Sequence, residues 1–271
     1  MDSKTYSQSM IASYSERTAV KNAAYMLHVL KPHMRILDVG CGPGTISLDL
    51  ATHVPDGHLT GVDRSDTAID SARATAEKRG TKNASFEVGD IIEGLPFPDD
   101  TFDVVHAHQV LGHLVGGNGE PGPVRGLREM RRVCKPSGFV CAREADWKSF
   151  ILYPPVPGTV ESLAVIEKLG IRSGKTIAGG RGREFARRAG FHPDSITASA
   201  TATPRSGPTD RKFWGEMMAV RWETSSTRTE AVDLGFITEE EATDMAEAWR
   251  IWAKNDDAFS CLTDGEIICV K

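Results

Sequence analysis

The stretch Arg35-Ile-Leu-Asp-Val-Gly-Cys-Gly-Pro-Gly-Thr-Ile46 decides how the chain is read. A short apolar run that reads as a buried strand passes into three glycines at alternate positions, Gly40, Gly42 and Gly44, and a helix-capable segment from Ile46 to His53 follows. Glycine tolerates positive φ and lets a ligand approach where a Cβ would collide. The first turn of the next helix presents unpaired N–H groups that suit an anion. Strand, glycine turn and helix in this order predict a ligand seated against the turn.

The pattern continues downstream. Strands are predicted at 58–63, 84–89, 102–108 and 138–144, with helices at 68–79 and around 125–133. Such alternation means a parallel sheet with crossover helices, whose ligands bind beyond the carboxyl ends of the strands. Two more strands are expected at 195–202 and 266–271, after helices at 160–169 and 182–189. The fold expected is α/β, a Rossmann-like doubly wound seven-stranded sheet. Upstream, 17–30 is predicted as one helix with Val20, Ala23, Ala24, Leu27 and Leu30 on a single stripe, closed by Pro32. The organisation expected is an N-terminal helical cap over 1–34, a core over 35–207, a helical lid insertion over 208–258, and a final edge strand over 259–271.

Composition narrows the function. At 271 residues and 40% hydrophobic content the chain can bury a sizeable core, and its net charge of −5 argues against a broad nucleic-acid surface. The basic run from Arg125 to Lys135 has helical spacing and reads as a solvated helix face. Five scattered cysteines with no C-x-x-C pair look like reduced, small apolar residues. Met1-Asp-Ser-Lys-Thr-Tyr lacks the apolar core of a secretory signal, and no apolar run approaches the roughly 20 residues a bilayer span needs. A cytoplasmic protein without membrane insertion is expected.

The spacing within the glycine turn separates two ligand families. A dinucleotide fingerprint is G-x-G-x-x-G, whereas Asp38-x-Gly40-x-Gly42-x-Gly44 resembles the first motif of class I S-adenosylmethionine-dependent methyltransferases. The second predicted strand ends at Asp63, where a carboxylate can accept hydrogen bonds from both hydroxyls of a ribose. An Asp there could instead cap the next helix, but Asp66 is available for that. Arg64 would lie beside the ribose and adenine. The resemblance further implies that Asp90 takes the adenine amino group, that Ile91 contacts the ring, and that His108 and Gln109 stand beside the methionine part. Tyr14 and Arg17 would be the cap's cofactor-side residues, and Asp38 and the three glycines complete the cofactor set. S-adenosylmethionine is therefore the cofactor implied, with S-adenosylhomocysteine as product.

His106 and His108 share a strand face and His113 follows a turn, but no carboxylate or cysteine sits at matched metal-ligand spacing, and methyl transfer from a sulfonium needs no metal. His108 and His113 are instead the candidate general bases, since imidazole titrates near neutrality. Aromatic residues beyond the fifth strand and in the insertion suit an apolar small-molecule acceptor, with Trp147, Tyr153, Trp214 and Met218 as candidate substrate residues. Packing alone is the competing role for the insertion's aromatics.

Leu95–Asp103, with Phe102-Asp-Val-Val, makes the chain similar to the ubiquinone/menaquinone-biosynthesis type of these enzymes. Arg17-Thr-Ala, His108-Gln-Val-Leu and Arg143-Glu-Ala-Asp-Trp resemble the fungal branch that includes S-methyltransferases of reduced gliotoxin-like dithiols. That resemblance implies methylation of a thiol. An O- or C-methyltransferase of a phenol, quinone or other secondary metabolite is the alternative. Gly116-Gly-Asn-Gly-Glu-Pro-Gly122 departs from the family's usual short turn.

Overall fold

Alternate residues of the first strand are claimed by different cores. In β1 (Arg35–Val39), Ile36 joins one apolar cluster while Leu37 and Val39 join another on the opposite face. A strand covered on both faces reads as a continuous apolar run, which is why Ile36-Leu-Asp-Val shows no polar alternation beyond Asp38. The structure is a computed structural model that describes residues 17–117, 119–172 and 179–271.

β1 pairs in parallel with β2 (His58–Asp63) and β4 (Phe102–His108), β2 with β3 (Ala84–Val88), and β4 with β5 (Cys134–Tyr153). With β6 (Ile196–Arg205) and β7 (Phe259–Val270) the order is β3-β2-β1-β4-β5-β7-β6. Lys271 exchanges backbone hydrogen bonds with Ser137 and Gly138, so the end of β7 lies beside the start of β5 and the two run antiparallel. The result is a mixed seven-stranded Rossmann-like α/β sheet with flanking helices. One expectation needs correction: the final strand is internal, and β6 holds that edge of the sheet. The reason lies in β7's side chains. Ile267 and Cys269 enter the main core, and buried Glu266 faces buried Arg143, groups that an edge position would leave wet.

The N-terminal segment also departs from expectation. It forms two four-residue turns, Ala19–Asn22 and Ala24–Leu27, broken at Ala23 with φ −132 and ψ 12. Thr18 caps the first turn, and Asn22 Oδ1 accepts from the Thr18 N–H. The break rotates the buried face onto Ala19, Ala23 and Met26, and leaves Val20 72% exposed.

The chain divides into two compact units. One comprises residues up to Glu144 with Gly180–Ser199 and Gly265–Lys271; the other comprises Ala145–Gly179 and Ala200–Asp264. The helices expected at 208–258 thus belong to a larger body than the expected lid. Its core shows why, since Val165, Ile166 and Leu169 of the helix Thr159–Arg172 pack with Trp214, Met218, Trp222, Trp249 and Trp252. Gly215 lets two helices, Pro208–Thr224 and Glu239–Lys254, approach closely: a Cβ there would stand 2.6 Å from Ala253 Cβ. Arg250 joins the same helices by ion pairs to Glu216 and Glu223. Trp249 donates to Ser162 Oγ at 2.8 Å, and both are fully buried. Replacing Trp249 with Ala leaves a large cavity and removes one of the two hydrogen bonds of the Ser162 hydroxyl, which keeps its bond to the Thr159 carbonyl. The cavity is expected to lower stability by about 3–5 kcal/mol, read by denaturant unfolding of the whole chain.

Candidate active site

All three glycines of the turn take positive φ: +66 at Gly40, +53 at Gly42 and +78 at Gly44. Their surroundings differ. A Cβ at Gly40 would stand 2.3 Å from Val110 Cγ2, and one at Gly44 would stand 2.9 Å from Ala72 Cβ, so protein fills the space at both. At Gly42 no atom of the described residues lies within 4 Å of that position, which leaves room for a ligand against the backbone. Gly44 begins the helix Thr45–Ala51 and, as glycine, supplies no capping side chain of its own.

Asp63, at the carboxyl end of β2, closes the turn from the side. Its Oδ2 accepts the Gly42 N–H at 3.0 Å and its Oδ1 accepts the Ser65 N–H at 3.0 Å. The carboxylate is 3% exposed, and burial raises its pKa above the usual range although both N–H bonds pull it down. Each oxygen retains a lone pair for a further donor, which is what two ribose hydroxyls require. Asp63 is therefore also a strut of the turn it serves. The cap of the following helix is Ser65, whose hydroxyl accepts from Ala68 N, and Asp66 is that helix's first residue rather than its cap.

Asp38 stands on the other side of the turn with no exposed oxygen to offer. It is 3% exposed, Oδ1 pairs with His106 Nδ1 at 2.8 Å, and Oδ2 accepts from the Ser47 hydroxyl. The register of β1 and β4 sets Asp38 beside His106 on one face of the sheet.

The end of β4 is built from both sequence-predicted and unexpected residues. His108 is buried, with Nδ1 3.4 Å from Arg17 Nη1 and Nε2 3.4 Å from Asn22 Nδ2. Arg17 also donates to Gln109 Oε1 at 3.4 Å, so the N-terminal segment does reach the strand end. Burial lowers the His108 pKa well below its usual 6.5, and Arg17, His106 and Arg143 push it further down. His108 is the residue expected as a base poised near neutrality; in the structure its surroundings disfavour the charged form, and its ring nitrogens face Arg17 and Asn22. Gln109 holds the left-handed conformation at φ +53, a costly state for a residue with a Cβ.

Glu144, on β5 next to Arg143, the partner of His108, accounts for that conformation and was missed. Its carboxylate accepts the N–H groups of Val110 and Leu111 at 2.7 Å and of Gly112 at 3.2 Å, which pins the turn after β4 and seats Val110 against Gly40. His113 ends the short turn Leu111–His113 with its side chain exposed. Asp90 Oδ1 accepts from Ile92 N at 2.9 Å, and the Ile91 side chain is buried in the main core, so Ile91 offers chiefly its backbone. Arg64 is exposed at the end of β2. Tyr14 lies outside the described residues.

The four acceptor candidates all belong to the second unit. Trp214 and Met218 sit in its core, so packing explains them. Trp147 is half-buried, stacked at 6.1 Å on Phe150 and 6.4 Å on Trp214, with the Arg221 guanidinium 5.5 Å from its ring. Tyr153 is 58% exposed, and its carbonyl accepts from Trp252 Nε1. Among the described residues no group of three or more His, Cys, Asp and Glu side chains could hold a metal, all five cysteines are free and buried, and no helix is long and apolar enough to cross a membrane.

Residues 30–167 match the family model described as a methyltransferase domain. An uncharacterized methyltransferase of Schizosaccharomyces pombe is 34% identical, over 96% of this chain and 92% of its own length. The Aspergillus luteorubrus protein named "Probable methyltransferase ltbC" is 31% identical, over 94% and 91%. The fold is shared with phosphoethanolamine N-methyltransferase 2 of Haemonchus contortus in complex with S-adenosyl-L-methionine, with a TM-score of 0.55 at 16% identity over 93% of this chain and 52% of that one. The space beside Gly42, the lone pairs left on Asp63, and the Arg17, His108 and Gln109 group at the end of β4 fit an adenosine-bearing amino acid. The chain belongs to the methyltransferase domain family, and the cofactor it uses is S-adenosylmethionine.

Proposed function

We propose that this enzyme methylates a thiol of a small, largely apolar molecule, of the reduced gliotoxin-like dithiol class. The observation that carries the reading is the state of His108. When bound, S-adenosylmethionine supplies an electrophilic methyl group next to a strand end whose buried imidazole is a poor base. A thiol with a pKa of about 8.5 is already a few per cent thiolate at neutral pH and needs little help, whereas a phenol near 10 or a carbon acid needs a well-aimed base. The chain's task is then to hold donor and acceptor in line, which supplies roughly 7–11 kcal/mol of the barrier through proximity.

In this reading Asp63 takes the ribose, Asp90 and the Ile91 backbone take the adenine, Gly42 lies along the amino-acid part, and Arg17 with Gln109 faces its carboxylate end. Arg64 and Tyr14 complete the donor side. Acceptor recognition is assigned to half-buried Trp147 and exposed Tyr153 of the second unit. The acceptor is a small molecule and not a nucleic acid.

Three outcomes are expected. In a labelled-methyl assay against dithiols, phenols and quinones, label enters an S-methyl product; label confined to O- or C-methyl products overturns the thiol reading. Asp63→Ala lowers affinity for S-adenosylhomocysteine at least a hundredfold in calorimetry, because it removes the ribose acceptor and loosens Gly42; an unchanged affinity contradicts the site. Finally, the depressed pKa of His108 makes stability depend on pH. Below about 6.5 the unfolded chain takes up a proton that the native imidazole refuses, so stability falls as pH drops through that window. His108→Gln is expected to remove this part of the loss, measured as the pH dependence of the unfolding free energy.

A further inference from the structure

His106 is fully buried on the inner side of the glycine turn, and no step of methyl transfer uses it. Its position is nonetheless specific. Asp38 precedes the turn, Ser47 follows it in the helix Thr45–Ala51, and His106 lies on the neighbouring strand; a single carboxylate ties all three together. His106 Nδ1 donates to one oxygen and the Ser47 hydroxyl to the other, so the two ends of the turn are cross-linked through Asp38. Ser47 is fully buried and Asp38 is nearly so, which removes competition from water. The far side of the imidazole meets the Tyr25 ring at 6.5 Å between centroids, and His106 Nε2 has no hydrogen-bond partner. A nitrogen left buried and unpaired is a cost that a merely apolar packing role would not require, since a Leu or Phe would fill the same space without it.

We propose that His106 is a positioning residue for S-adenosylmethionine. By donating to Asp38 it fixes the carboxylate that holds the mouth of the glycine turn at the width the donor's amino-acid end requires. It acts through Asp38 and Ser47 and does not touch the donor. The inference rests on the cofactor assignment above.

The test is calorimetric titration of S-adenosylhomocysteine into purified full-length variants. Wild-type binding is the control: if the wild type does not bind, the cofactor assignment fails, whatever His106 does. His106→Leu keeps the volume and loses the donor, and is expected to weaken binding tenfold or more. His106→Asn, whose amide nitrogen is attached to Cγ as Nδ1 is, retains a donor toward Asp38 and is expected to stay within threefold of wild type. A folded His106→Leu protein that binds as tightly as wild type overturns the proposal, as does an Asn variant as weak as the Leu variant. If His106→Leu does not fold, Ser47→Ala removes the other donor to the same carboxylate. A tenfold loss there supports the cross-link, and affinity within twofold of wild type overturns it.

Discussion

Three glycines at positive φ within five residues form a segment with little conformational preference of its own, and glycine loses more freedom on folding than any other residue. Something outside the segment must hold it. Two buried carboxylates do so: Asp63 takes the N–H of Gly42 from the end of β2, and Asp38 joins the strand before the turn to the helix after it through Ser47. Val110, held by Glu144, closes the third side against Gly40. Each of these groups comes from the carboxyl end of a parallel strand or from the helix that follows one. The parallel order β3-β2-β1-β4-β5 is the arrangement that brings them to one place.

The energetics separate scaffold from chemistry. Asp63 is buried enough for its pKa to rise, and the two backbone N–H groups oppose that rise without cancelling it. The same desolvation acts on His108 in the opposite chemical sense and keeps it uncharged. A site of this kind favours shape and fixed dipoles over proton transfer. That suits a reaction in which the leaving group is a neutral thioether and the nucleophile brings its own charge. The second unit is rich in tryptophan and is built on a separate core.

Much of the first unit was legible from sequence. β2 and β4 match their expected limits residue for residue, and β1 falls on the apolar run before the glycines, because each is an apolar run bounded by glycine, proline or a charged turn. Asp63 was legible for the same reason: a strand end is a local feature. What escaped the sequence depends on contacts across the chain. The Asp38–His106 pair joins residues 68 positions apart, through a strand register that no local pattern encodes. The basicity of His108 is lowered by burial first and then by Arg17, His106 and Arg143, and neither the burial nor the two arginines can be read from the strand itself. Asn22 escaped because an unbroken helix was expected where Ala23 interrupts it. The internal place of β7 escaped because pairing with β5 is decided by Glu266, Ile267 and Cys269 together, whereas alternation shows only that a strand exists there. In the second unit, periodicity detected the helices but did not separate the core residues Trp214 and Met218 from half-buried Trp147 and exposed Tyr153.

The central claim is that the turn and the two strand ends beside it form one donor site, and the most direct measurement is a crystal structure of the S-adenosylhomocysteine complex. The account predicts both ribose hydroxyls on Asp63, the adenine against Asp90 and Ile91, and the amino-acid part running over Gly42 toward Gln109. A nucleoside bound elsewhere, with Asp63 still contacting nothing but the backbone of Gly42 and Ser65, would contradict it.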